Sequence, residues 1–325
     1  MNRHYMKKLN PINTFTEGDK VQGFYLCIDK HLRFTRSGDL YIDLELRDVT
    51  GHISAKIWDN VSLLNDKFNA GNAVAVSGQV EIFLEKPQLI IKKINKATVQ
   101  HYGRYGFDPS MVVPSSKKDP KKMWVQIEQL IDRIKNSSIK RLLKIVYNSN
   151  KKRLLVIPGS INMHYSYRSG YMEQIISTSA VAKKICAIYN VDRDIVLAGI
   201  FLHGIGKVNE INSEYEVDFT IEGYLIGHSV ISRDIVKEAI QKIKNFPENF
   251  SKMIEHIILN CNNELVFDFQ EQPLFPEALL VRHIIVLDAK MNLMSDVLSK
   301  DQEKGDFTNR HNYFKVPIFK NDGFE

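Results

Sequence analysis

Apolar and polar residues alternate with strand period over the first hundred positions and recur with helical period after about residue 122. Val21 to Phe34 is rich in β-branched and aromatic residues. Leu40, Ile42, Leu44 and Leu46 then interleave with Tyr41, Asp43, Glu45 and Arg47, the pattern of a strand with one face in a core. Asp48-Val49-Thr50-Gly51 reads as a turn, and Ile53, Ala55 and Ile57 oppose His52, Ser54, Lys56 and Trp58 beyond it. Leu63, Leu64 and Phe68 have helical spacing; strands over Ala73–Phe83 and Gln88–Ile94 follow, joined at Glu85-Lys86-Pro87. Further on, Trp124, Ile127, Leu130, Ile131 and Ile134 mark one helical face, and Leu142, Leu143, Ile145 and Val146 another. Apolar stripes near 175–189, 194–203, 228–244, 250–260 and 276–298 predict more helices, with a loop or short extended piece at 218–224.

The expected architecture is therefore α+β and multidomain. Five strands interrupted by one helix between the third and fourth match the order of an OB-fold β-barrel, and an all-α domain follows. The boundaries expected are a barrel over 1–100, a basic linker over 101–122, connecting helices over 123–160, a helical domain over 161–300 and a polar tail over 301–325. The linker reading rests on Gly103, Gly106, Pro109, Pro114 and the run Lys117-Lys118-Asp119-Pro120-Lys121-Lys122. Tyr41 and Trp58 fall on the polar side of their strands, beside Lys56 and Arg47. OB-folds stack bases on such aromatics and steer the phosphate backbone with cations. Arg36, Tyr41, Lys56, Trp58, Lys86 and Lys92 are the candidate nucleic-acid contacts, with Arg33 extending the groove. The bland reading makes Trp58 a lid over the core edge.

Charge changes the picture at the junction. Residues 101–160 hold 13 Lys+Arg against 4 Asp+Glu, whereas 161–325 hold 17 against 23. A basic block of this kind attracts phosphates, although a solvated lysine-rich helix has the same composition. No apolar run reaches membrane-spanning length, and the charged start has no hydrophobic stretch behind it. Cys27, Cys186 and Cys261 lie far apart without metal or disulfide spacing, which suits a reducing cytoplasm.

The candidate chemistry is at Leu202-His203-Gly204-Ile205-Gly206-Lys207. It resembles the His-Asp-x-Gly-Lys signature of HD phosphohydrolases, with glycine in place of the metal-binding aspartate. Asp48-x-x-Gly51 with Ile53-x-Ala55-Lys56-Ile57-Trp58-Asp59, Leu197-Ala198-Gly199-Ile200-Phe201-Leu202-His203, Glu222-Gly223-x-x-x-Gly227-His228, Pro276-Glu277-Ala278-Leu279-Leu280 and Leu287-Asp288-Ala289-Lys290-Met291 occur in that order. Together they resemble the YhaM family of 3′-5′ exoribonucleases over nearly the whole chain. The resemblance implies an OB-fold followed by an HD domain, acting on single-stranded RNA or DNA.

It also implies a metal site that this chain has lost. The family's first ligand lies in a Gly-Gly-Leu-Leu-Glu-His stretch, where this chain reads Ser169-Gly170-Tyr171-Met172-Glu173-Gln174. The doublet has become His203-Gly204, and the last aspartate's place is taken by Ile285. A His-His pair aligns with Cys261-Asn262, and Tyr165 replaces one member of an earlier pair beside His164. Without its carboxylates the pocket has no means to hold the ion that lowers the pKa of water and polarises a phosphoryl oxygen. No cofactor is expected, and the chain reads as a single-strand-binding pseudoenzyme. Two alternatives stand beside that reading. Three imidazoles can hold a catalytic ion, so the residual pocket of His164, His203, Lys207, His228 and His256 is a candidate hydrolytic site. There His203, His228 and His256 would bind Mn, Fe, Mg or Zn, with Asp288 or Glu173 recruited. Otherwise the chain is a structural subunit, self-associating or paired with an active paralogue.

Overall fold

The computed structural model describes residues 11–212, 215, 217–261 and 272–320. They form two compact units, one running to Ser115 and the other comprising Ser116–Asn212 and resuming at Asp218. In the first unit, β1 (Lys20–Phe34), β2 (Leu40–Arg47), β3 (His52–Ile57), β4 (Ala73–Phe83) and β5 (Lys86–Lys96) close into a barrel of order β1-β2-β3-β5-β4. The β3–β5 pair is parallel, and its neighbours are antiparallel. With α1 (Val61–Asn65) between β3 and β4, this is the OB-fold order. Tyr25, Ile42, Leu44, Leu46, Ile53, Ala55, Ile57, Val76 and Leu89 fill the interior, so the alternation along β2 and β3 sorts their side chains as the sequence suggests. Lys30 secures α1 by donating its ammonium to the carbonyls of Asn65 (2.5 Å) and Phe68 (2.7 Å), satisfying acceptors that a helix end leaves open.

The stretch expected to be a linker is folded over much of its length. α2 (Val99–Tyr102) leads into short 3-10 turns, and Phe107, Val112 and Val113 are buried with Leu26, Ala73 and Ala97. The glycines and prolines there punctuate turns, but the apolar residues between them supply a second small core on the barrel unit. The chain from Ser116 belongs to the helical unit.

That unit comprises α3 (Pro120–Asp132), α4 (Ser137–Leu154), α5 (Gly170–Ile185), α6 (Arg193–Leu202), α7 (Lys207–Glu210), α8 (Ile221–Leu225), α9 (His228–Gln241), α10 (Glu248–Asn260) and α11 (Pro276–Lys300). α6 is apolar all round and buried from Ile195 to Leu202, as befits a helix surrounded by others. It packs against α4, α5, α10 and α11, so the residue that follows it, His203, emerges at the centre of the unit. The 218–224 region pairs Asp218–Phe219 with Ile211–Asn212 and then turns into α8. The tail is folded to residue 320: the Lys320 ammonium meets Asp301 at 2.6 Å, and Phe307 bridges Phe319.

One glycine limits the barrel. At Gly78 the β4–β5 register shifts, and a Cβ there would lie 2.3 Å from the Ile90 carbonyl oxygen, a backbone atom that cannot rotate away. Gly78→Ala is expected to destabilise the barrel by about 1–3 kcal/mol through overpacking. Chemical denaturation followed by Trp58 fluorescence checks this; an unchanged midpoint would contradict the close approach.

Candidate functional site

On the barrel, register decides which side chains share a face. Arg33 pairs with Tyr41 and Asp43 with Lys56, which puts all four on the outside of the β1-β2-β3 sheet. Trp58 follows β3 and stacks on Tyr41, with centroids 4.7 Å apart and planes 27° from parallel. The Lys56 ammonium lies 4.7 Å from the Tyr41 centroid and 5.7 Å from that of Trp58. Asp43 holds it there at 3.7 Å and also binds Arg33 at 3.1 Å. Trp58 remains 43% exposed, so the two aromatics form one platform whose free face is the outer face of the indole. Tyr41 supports that ring from behind.

Tyr41, Lys56 and Trp58 are thus brought together. Arg36 is exposed in the β1–β2 turn, Lys86 at the start of β5 and Lys92 farther along the same strand. Among the described residues no ion pair or ring contact ties these three to the stack. Sequence reading missed two exposed aromatics on the hairpins that flank an OB-fold binding face: Phe34 at the end of β1 (72% exposed) and Phe83 at the end of β4 (59%). Beside Phe83, Leu84 and Glu85 make a two-residue turn with left-handed φ of 49° and 64°, an unfavourable conformation for leucine. An apolar residue at a strand's exposed end is the signal that would have found them.

In the helical unit, α5, the turn after α6, and α9 converge on a buried pocket. His203 is held by a 2.8 Å contact from Nδ1 to the Ile200 carbonyl, which must accept, so Nδ1 carries the proton. Burial, reinforced by the charge of Lys207, pushes this imidazole down to about 3. The same two causes bring His164 to about 4. Lys207 is itself buried and donates to the Gly159 carbonyl; burial lowers its ammonium to about 8, against the pull of Glu210. Glu210 accepts from the His228 backbone N–H (2.9 Å) and meets its Nδ1 at 3.0 Å. Gly206 accommodates α9, its N–H donating to Ser232 Oγ (2.7 Å), which in turn donates to the His203 carbonyl (3.1 Å).

The residues present do not fit a metal ion. Gly204 offers no ligand, and a Cβ added there would lie 3.1 Å from Tyr171 Cε2 and 3.4 Å from its hydroxyl. A side chain at 204 would therefore press on the tyrosine ring, which would have to give by a few tenths of an ångström. Gln174 is 1% exposed, and neither end of its amide has a hydrogen-bond partner. Ile285 is buried in the helical core. Both carboxylates that seemed recruitable are engaged elsewhere. Asp288 accepts from Tyr165 Oη (3.0 Å) and Ser177 Oγ. Glu173 accepts from Ser116 Oγ (2.7 Å) and Tyr167 Oη (3.2 Å) and pairs with Lys118 at 2.8 Å. His256 is satisfied apart from the others: its Nε2 accepts from the Leu274 N–H (3.1 Å), and Nδ1 lies 3.2 Å from the Asn260 amide. Among the described residues no three His, Cys, Asp or Glu side chains gather closely enough to hold an ion. The proposed set of His203, His228 and His256 is accordingly not assembled, and Asn262 lies outside the described residues. Tyr171 and Glu210 are the pocket residues that sequence reading missed. Glu210 follows Lys207 by one helical turn, which was a legible cue.

A family model for the HD domain matches residues 171–289. A 3′-5′ exoribonuclease YhaM of Halalkalibacterium halodurans is 29% identical over 294 residues, covering 90% of each chain. A second, from Listeria monocytogenes serotype 4b, is 26% identical and covers 94% of this chain and 98% of its own. Among solved structures, the second OB-fold domain of replication protein A from Methanococcus maripaludis covers 27% of this chain and 92% of its own, at 16% identity and a TM-score of 0.23. The mitochondrial single-stranded DNA binding protein Rim1 of S. cerevisiae covers 26% and 97%, at 11% identity and a TM-score of 0.23.

The buried imidazoles make stability depend on pH. In the unfolded chain they protonate near their ordinary value of 6.5, whereas His164 and His203 in the fold wait until about 4 and 3. Between those limits the unfolded state binds more protons, so stability falls as pH falls, by up to about 1.4 kcal/mol per pH unit for each group. Thermal unfolding between pH 7 and 5 should show the midpoint dropping, with a shallower slope in His203→Gln. A flat or rising midpoint would contradict it.

Proposed function

We propose that this chain, similar over about nine-tenths of its length to YhaM 3′-5′ exoribonucleases and matching an HD-domain model behind an OB-fold barrel, binds single-stranded RNA or DNA through its barrel and does not perform metal-dependent 3′-5′ hydrolysis. The observation that carries the binding half is the Trp58–Tyr41 stack with Lys56 at its edge. A base laid on the outer face of Trp58 would extend the stack by one ring. Lys56 and Arg36 would meet the adjoining phosphates, and Phe34 and Phe83 would offer flanking surfaces. Stacking reads no base edges, so recognition would tolerate sequence.

The catalytic half rests on the pocket's contents. Hydrolysis of a phosphodiester by this fold needs an ion to generate hydroxide and to neutralise charge on the phosphoryl oxygens. Gly204, Gln174 and Ile285 supply no anionic ligand, and the nearby carboxylates of Glu173 and Asp288 are already bonded. Lys207 is a buried lysine rather than a metal ligand, its ammonium lowered to about 8 by burial. The helical unit then serves as a body for docking or regulation.

Fluorescence anisotropy with labelled single strands in chelator, alongside a 3′-5′ nuclease assay in Mn²⁺, tests both halves. Binding is expected to survive chelation. Trp58→Ala should weaken it by about 1–3 kcal/mol, roughly five- to a hundred-fold, with Tyr41→Ala weakening it less. The 3′ ends should remain intact. Trimming that His203→Ala abolishes would restore the exonuclease reading. Unchanged affinity in a Trp58→Ala/Tyr41→Ala double variant would favour a structural subunit instead.

A further inference from the structure

The helical unit carries a cationic groove that neither the barrel nor the HD pocket accounts for. An open depression of about 550 Å³ runs along α4, lined by Ser137, Lys140, Arg141, Lys144 and Asn148, with Lys135 at its head. The α4 positions follow helical spacing on a single face from Ser137 to Asn148, a run of roughly 16 Å at 1.5 Å per residue. On the reverse side of the same helix Ile139, Leu142, Leu143, Val146 and Tyr147 are buried. The cationic stripe is thus fixed in place by a well-packed helix.

Its charge is only partly compensated: at the groove's head the Asp194 carboxylate accepts from the backbone N–H groups of Lys135 (2.9 Å) and Asn136 (2.7 Å). From Arg133 to Met172 the sequence has no Asp or Glu and nine Lys or Arg. Lys135, Lys140 and Arg141 make no ion pair among the described residues. Asp132 stands at the rim and pairs with Lys144 at 2.7 Å, where both side chains are more than half exposed. Such an exposed pair is weak and readily exchanged for a phosphate. Asn136 caps α4 by accepting from the N–H groups of Ser138 and Ile139, so the helix begins where the groove does and its positive end faces the same region. Small polar side chains, Ser137 and Asn148, line the spaces between the cations, and hydroxyl and amide groups are the common neutral donors to phosphate oxygens.

We propose that this α4 groove is a second nucleic-acid site, which takes the phosphodiester backbone of a single strand and reads no bases. The proposal rests on the single-strand reading of the barrel for the identity of the strand, and adds an anchor in the helical unit. Cations spaced along a straight helix suit a repeating polyanion better than one small anion. The absence of an exposed aromatic among the lining residues leaves base stacking to the barrel.

The test is the salt dependence of binding by the full chain. A Lys140→Gln/Arg141→Gln/Lys144→Gln variant is compared with wild type, and with a charge-matched control, Lys183→Gln/Lys184→Gln/Lys244→Gln. Each phosphate contact on a single strand contributes about 0.7 to the slope of log affinity against log salt. The groove variant should therefore lose about 2 from that slope and bind more weakly at low salt, with its melting midpoint unchanged; the control should lose little. An unchanged slope, or an equal loss in the control, overturns the groove. Trp58→Ala separates the two claims: if it leaves affinity intact while the groove variant loses slope, the barrel reading fails and the groove stands. If Trp58→Ala weakens binding and the groove variant does not, the groove fails alone. Loss of binding to phosphatidylserine vesicles with no change on oligonucleotides would assign the groove to a lipid surface and contradict the proposal.

Discussion

The packing of the Tyr171 ring against the bare α-carbon of Gly204 sets what the helical unit can do. An HD site needs a carboxylate at that point of the chain, because an adjacent imidazole alone leaves the charge of a divalent ion unbalanced. Here a side chain at 204 would press on the tyrosine ring, with the nearest ring carbon 3.1 Å from its Cβ. Lys207 and Glu210 are the buried ionisable neighbours that remain, and burial, reinforced by Lys207, holds the His164 and His203 imidazoles well below their ordinary value.

The two units then divide the work. The barrel offers a stacking platform and the helical unit a cationic face, and neither depends on a bound ion. Stacking gives affinity that salt hardly affects, while phosphate contacts give affinity that salt erodes. A chain with both would hold single strands over a wide range of ionic strength without cutting them. The turn containing His203 is stabilised by the same Gly206–Ser232 and Glu210–His228 contacts whether or not it serves chemistry.

Much of the fold was legible in the sequence. The alternation along β2 and β3 fixed which residues face inward, and a one-residue slip would have exposed Ile42, Leu44 and Leu46 together. The apolar run of α6 marked a central helix. Residues 101–113 were less readable, because Gly and Pro signal turns equally well in a linker and in a packed loop; only the burial of Phe107, Val112 and Val113 distinguishes them. At the site, the lost ligands were visible one by one, since each is a matter of residue identity. What replaces them was not, because the contact of Tyr171 with Gly204 joins positions 33 residues apart. The engagement of Asp288 by Tyr165 and Ser177 likewise depends on how α5 and α11 pack. On the barrel, sequence placed Tyr41, Lys56 and Trp58 on one face but gave no sign that two rings would serve as one platform.

Elemental analysis of the purified protein after incubation with Mn²⁺, Fe²⁺ or Zn²⁺ and desalting addresses the central claim most directly. It is best read against a variant carrying Tyr171→Leu, Gln174→His, Gly204→Asp and Ile285→Asp. The account predicts far less than one equivalent of metal in the natural chain and a gain in the fourfold variant that exceeds the gain from the three ligands without Tyr171→Leu. One tightly held ion per natural chain, lost on His203→Ala, would contradict it.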